Sequence, residues 1–129
     1  MKIYKVKKIV ERNGKIFIFE KSKKIKFKIK RVFLVKSNKS KIRGKHAHKK
    51  CIQLLNCISG SIEINCETIQ GKTYNFLLDK PDKYLILPKL TWCIQKYKLN
   101  NSVLMVICSE KFSESDYIRS YKKFKSLQK

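Results

Sequence analysis

Residues 43–49 read Arg43-Gly44-Lys45-His46-Ala47-His48-Lys49, with Gln53 five positions after His48 and Gly60 seven beyond that. His46 and His48 are the only histidines in the chain. On a strand, side chains two apart share a face, so the two imidazoles are expected side by side. A lone histidine is most often structural; both histidines of a chain on one strand face point to chemistry. Just ahead of them, Arg43 offers an anion-binding fork and Gly44 a freely bent backbone.

The period-two pattern around this stretch continues in both directions. Strands are predicted at 2–9, 15–20, 25–35, 46–58, 61–66, 73–78, 84–87, 92–97 and 102–108. Turn chemistry separates them at Asn13-Gly14, Ser37-Asn38, Ser59-Gly60, Gly71-Lys72 and Asn100-Asn101. Many short strands at such intervals predict an all-β sandwich or barrel. Only the tail has helical spacing, over 114–126, with Ser113 or Ser115 as cap, Glu114 and Asp116 in the first turn, and an Asp116–Arg119 pair. No repeat or linker interrupts residues 1–129, which read as a single domain.

The net charge is +23 over 129 residues, and it is unevenly placed. Residues 1–50 carry 17 Lys and 3 Arg against Glu11 and Glu20. Such a field attracts polyanions, and nucleic acid is one partner it could suit. The excess, however, is 28 Lys to 4 Arg, whereas base edges and phosphates are gripped best by the arginine fork. In Lys24-Ile25-Lys26-Phe27-Lys28-Ile29-Lys30 the lysines alternate with apolar residues, as on the solvated face of a strand. No specific nucleic-acid partner is expected. The five cysteines form no CxxC pair and read as reduced, in a cytoplasmic protein. Neither a signal peptide nor a membrane span is expected.

The spacing G…HxHxxxxQxxxxxxG resembles the first motif of the cupin superfamily, with Gln53 where metal-binding cupins usually carry Glu. Their second motif would fall at Pro88-Lys89-Leu90-Thr91-Trp92-Cys93, which has no histidine. His46, His48 and Cys93 are a conceivable zinc or copper set, but the carboxylate that would balance a hard cation is missing. No metal and no other cofactor is expected.

A more specific resemblance covers nearly the whole chain. Phe27-Lys28-Ile29-Lys30-Arg31-Val32-Phe33, the Arg43–Lys49 stretch, Cys57-Ile58-Ser59-Gly60-Ser61 and the run Ser113-Glu114-Ser115-Asp116-Tyr117-Ile118-Arg119-Ser120-Tyr121-Lys122-Lys123-Phe124 stand in order. Together they resemble the sugar 3,4-ketoisomerases, the WxcM-like branch of the cupins. The resemblance implies a jelly-roll barrel with a short C-terminal helix, a likeness to metal-free homodimers, and action on dTDP-4-keto-6-deoxyglucose on the way to 3-amino sugars of surface glycans. It assigns the base to His48, with His46 as its partner or as proton donor to the oxygen. Arg43 and Arg31 are candidates for the enediolate or the pyrophosphate. Strand parity turns Arg31 inward beside Phe33, where an internal salt bridge is the alternative use of its charge. Trp92 is a candidate to stack on thymine or to fill the core, and Tyr117 and Arg119 are expected to seal one end of the barrel.

The chain departs from the family pattern in three places. Asn13 or Arg12 stands where an Arg-Gly pair is usual near the sugar pocket, Asp82-Lys83 stands where Gly-Leu is common, and Leu90 replaces a small residue after Pro88. A silent nucleotide-sugar-binding cupin and a 3,5-epimerase are therefore the neighbouring alternatives.

Overall fold

Alternating apolar residues build two facing sheets around one core. The structure, a computed structural model, describes residues 1–128. In chain order the strands are β1 (Ile3–Lys5), β2 (Lys7–Glu11), β3 (Gly14–Ile18), β4 (Arg31–Ser37), β5 (Ile42–His48) and β6 (Gln53–Ser59). They continue as β7 (Ile62–Thr68), β8 (Thr73–Leu78), β9 (Lys83–Leu87), β10 (Thr91–Tyr97) and β11 (Ser102–Cys108). A 3-10 turn at Glu114–Asp116 leads into β12 (Tyr117–Ile118), and α1 (Tyr121–Ser126) follows. One sheet runs β1-β9-β6-β11-β4, the other β12-β5-β10-β7-β8, and β2 and β3 form a separate hairpin. All paired neighbours are antiparallel.

Inward-facing Leu55, Ile62, Ile64, Leu78, Leu85 and Leu104 have no exposure and fill the space between the sheets. Each such side chain contributes roughly 1.5–3 kcal/mol by leaving water. The outer faces are covered selectively. Ile25, Phe27 and Ile29 lie over Leu54, Tyr84 and Ile107 of the first sheet. Phe124 of α1 packs with Trp92, Ala47 and Ile118 on the outside of the second. Among the described residues, no helix is long and apolar enough to cross a membrane.

Five expectations change. The stretch 46–58 is two strands in different sheets, because Lys50 and Cys51 turn their N–H groups to Asp116 and Ile52 donates to Ser109 Oγ. Of 25–35, only the part from Arg31 onward is strand; its first half keeps the alternation by lying apolar side down on the sheet, without a ladder. The stretch 2–9 breaks at buried Val6, whose N–H donates to the Asp82 carbonyl. The tail is helical only over Tyr121–Ser126, capped by Ser120 accepting from Lys123 N, since Tyr117 and Ile118 pair with β5 instead. Arg119 bonds Glu114 rather than Asp116, at 2.7 and 2.9 Å.

Glu67 of β7 fastens α1 from below. Its carboxylate accepts from Tyr121 Oη at 2.6 Å, Lys125 Nζ at 2.9 Å and Gln128 Nε2 at 2.6 Å. Those donors, Tyr121 foremost, hold its carboxyl below the usual glutamate value despite the opposing effect of burial. A carboxyl with a depressed folded-state pKa contributes stability above its unfolded value and loses it as pH falls through the folded one. Acidification should therefore loosen α1 once pH drops below the ordinary glutamate range, read by the fluorescence of Trp92, which touches Tyr121 and Phe124. Glu67→Gln should bring the same change to neutral pH.

Candidate active site

The two histidines owe their neighbours to a defect in β5. Gly44 has φ +83° and Lys45 φ 60°, both left-handed. Across the ladder His46 faces Cys93 and Arg43 faces Gln95, with the register slipping between Cys93 and Ile94. Residues directly opposite in an antiparallel pair share a face, and Cys93 and Gln95 both point into the barrel. Unbroken alternation would set Arg43 on the face opposite His46 and His48; this bulge puts it on their face, at an exposed position of the strand. A Cβ on Gly44 would lie 2.8 Å from the Cys93 carbonyl oxygen. Gly44→Ala therefore meets that clash plus about 1–2 kcal/mol of left-handed backbone strain. We expect a lower Tm and, in the folded fraction, activity lost with the bulge.

His48 is held from behind. Its Nδ1 lies 3.0 Å from Asp116 Oδ2, with 6% and 11% of the two side chains exposed. A carboxylate only accepts, so Nδ1 carries the proton and Nε2 keeps its lone pair. That Nε2 is buried and has no hydrogen-bond partner among the described residues. Asp116 also accepts from Lys50 N at 2.7 Å and Cys51 N at 3.3 Å. Burial alone would raise its carboxyl, but the Lys50 N–H, the His48 ring and the Cys51 N–H together hold it below its usual value.

His46 Nδ1 faces the Gly44 carbonyl at 3.0 Å, so its Nε2 is also free of a proton. The His46 and His48 rings meet edge-on at 5.1 Å, and Tyr117 lies against both at 5.1 and 4.4 Å. Arg119 covers the Tyr117 ring at 4.2 Å, itself gripped by Glu114. Burial, then the His48 charge, pushes His46 down to about 4. Burial also lowers His48, against the pull of Asp116 and with help from Arg31. Both rings are neutral near pH 7.

Arg31 stands on the inner face opposite Cys108, as parity predicts. Among the described residues it forms no salt bridge; its guanidinium lies over Phe33 at 4.4 Å and Phe112 at 5.1 Å. A cavity of about 770 Å³ opens beside Asp116 and Phe112, bordered by Lys28, Lys30, Lys49, Lys50 and Lys111. That size is in the range of small-molecule sites.

The remaining candidates lie elsewhere. Trp92 is on the outer face of β10, packed on α1 with the helix cluster, which fits core filling and keeps it away from the imidazoles. Asn13 occupies the exposed turn of the β2–β3 hairpin and meets none of the site residues. Leu90 adopts φ 56°, which explains why a small residue suits that position, and its N–H donates to the His48 carbonyl at 2.7 Å. His46, His48 and Cys93 do not converge on a common point; among the described residues, the ligand-type atoms that do belong to His48, Cys51 and Asp116. Asp116, Tyr117 and Phe112 are the site residues that sequence reasoning missed. The only signal was Asp116-Tyr117 itself, read as helix.

A histidine pair inside a two-sheet antiparallel barrel, backed by a carboxylate from the tail, is a cupin arrangement. The chain belongs to the FdtA, WxcM-like C-terminal family, whose model matches residues 1–129. It is 36% identical over 128 residues to the TDP-4-oxo-6-deoxy-alpha-D-glucose-3,4-oxoisomerase of Aneurinibacillus thermoaerophilus, covering 96% of this chain and 89% of that one. The QdtA sugar 3,4-ketoisomerase of Thermoanaerobacterium thermosaccharolyticum, solved with TDP, is 31% identical and superposes with a TM-score of 0.90, covering 98% and 93% of the two chains. A histidine-to-asparagine variant of that enzyme, solved with TDP-4-keto-6-deoxyglucose, gives a TM-score of 0.90 at 30% identity, covering 98% and 92%. The Mycobacterium tuberculosis rmlC epimerase shares the fold at 18% identity and a TM-score of 0.78, covering 89% of this chain and 66% of its own.

Proposed function

We propose that this chain is a TDP-sugar 3,4-ketoisomerase, acting on TDP-4-keto-6-deoxyglucose. The observation that carries the reading is the His48 ring: Nδ1 is fixed on Asp116, and Nε2 is buried and unpaired among the described residues. A group so placed is a general base before it is anything else. The relatives' names supply the substrate class.

The C4 carbonyl acidifies the C3 proton. His48 Nε2 takes that proton, the C3–H electron pair becomes a C3=C4 double bond, and negative charge collects on O4. Arg31, free of any carboxylate, is the cation placed to stabilise it. His46, with its own Nε2 unprotonated, takes the O3 hydroxyl proton and returns it to O4. His48 then delivers the first proton to C4, leaving the ketone at C3. The reaction is redox-neutral overall, so neither nicotinamide nor flavin is needed. A 3-ketone of this kind is the substrate an amino-transfer reaction would consume.

Arg43 at the barrel mouth and the lysines round the cavity suit the pyrophosphate. Trp92 and Asn13 enter only if the nucleotide reaches beyond one chain's pocket. For Asn13 that chain would be a second copy, and the solvent-facing Ile9, Val10 and Ile16 of the hairpin, with Val32 and Leu34 of β4, give a homodimer its apolar surface. Five free, buried cysteines fit the reducing cytoplasm.

The test is proton NMR of TDP-4-keto-6-deoxyglucose in deuterated buffer. Loss of the C3 proton signal with appearance of a 3-keto product supports the isomerase. Exchange at C3 and C5 with an epimerised product overturns it in favour of an epimerase. Broadened nucleotide signals without exchange would mark a binding module that has no turnover.

A further inference from the structure

Cys51 takes no part in that reaction, yet it sits against the group on which the reaction depends. The ligand atoms of His48, Cys51 and Asp116 all lie within 4.8 Å of one another. Two of the three residues are buried. The Cys108 thiol lies near that of Cys51, outside the three residues whose ligand atoms converge. Imidazole nitrogen, thiolate sulfur and carboxylate oxygen are the donors zinc accepts, at about 2.0–2.3 Å in a tetrahedron. Magnesium and calcium, which want oxygen alone, do not fit.

Cys51 and Cys108 belong to the core between the sheets, and the cluster meets His48 through Nδ1, whereas an HxH metal set would use the Nε2 atoms. Lys49 and Lys50, on the cavity that Asp116 also borders, offset the negative charge of the donor set. We infer that His48, Cys51 and Asp116, with Cys108 alongside, form a capture site for a soft divalent cation of the zinc class, and that filling it switches the enzyme off. The second half rests on the proposed function.

The balance explains the inhibition. Cys51 gives its thiol proton to solvent as its sulfur binds the metal. The Nδ1 lone pair of His48 turns to the metal, so the ring's single proton moves to Nε2. That is the nitrogen required to accept the C3 proton, and it is now occupied.

Titration of the reduced full-length chain with Co²⁺ alone tests the site without any substrate. One tetrahedral cobalt per chain is expected, with a thiolate-to-cobalt charge-transfer band that Zn²⁺ bleaches. Cys51→Ser should abolish the band and weaken zinc binding at least about tenfold, as thiolate is the softest donor lost. Its metal-free turnover should stay unchanged, and zinc that stops the parent enzyme should leave the variant running. No thiolate band in the parent chain, or a band indifferent to both Cys51→Ser and Cys51→Ala, overturns the site. A band with no isomerase activity in the metal-free chain would instead sink the proposed function and its inhibition while the metal site stood.

Discussion

His48→Asn should lower turnover of TDP-4-keto-6-deoxyglucose by roughly 10²–10⁴-fold, the usual contribution of a positioned general base. The fold should survive, because asparagine is of similar reach and can still donate to Asp116, now from its amide. Binding of the nucleotide sugar should change only a few-fold, as the base acts on C3 and not on the phosphates. Steady-state kinetics and a binding titration on the same preparation separate the two effects. Activity equal to the parent's would remove His48 as the base and with it the assignment of the proton path.

Asp116→Asn should rank next. The substitution keeps the shape but can present an amide N–H to His48 Nδ1, which favours the opposite tautomer and places the ring proton on Nε2. By analogy with histidine bases held by a carboxylate elsewhere, kcat should fall at least about 10²-fold. Only one of the two backbone donors from Lys50 and Cys51 then keeps an ordinary acceptor. Leaving a buried donor unsatisfied costs about 1–3 kcal/mol, so the variant should also melt earlier. A variant with a lowered Tm and full activity would show Asp116 to be a structural clamp alone. Full stability with lost activity would confine it to the histidine.

Much of this was legible beforehand, for physical reasons that differ from residue to residue. Alternation marks Ile62, Ile64 and Cys66 as inward because strand period is local, and all three are buried. The inward turn of Arg31 follows from the same parity. Arg43 does not: its position depends on two consecutive left-handed residues, and only one of them, Gly44, announces itself by type. The break at Lys49–Ile52 was hidden because it is made by N–H groups that go to Asp116 and Ser109, remote in sequence. Asp116 itself has a respectable helical partner at Arg119, so local rules chose that pair. The tertiary alternative, a buried imidazole lacking any other acceptor, lies 68 positions away.

That last separation bears on when the protein becomes an enzyme during its synthesis. Both sheets apart from β12 are complete once the ribosome has reached Cys108, and the histidines are by then already on their strand. The carboxylate that orients them arrives only with the segment that follows. A nascent chain can thus acquire the barrel, and with it a surface able to attract nucleotide sugars, before it can move a proton. Catalytic competence is a late event in the life of the chain, delivered by a two-residue strand closing on an edge that has stood open until then.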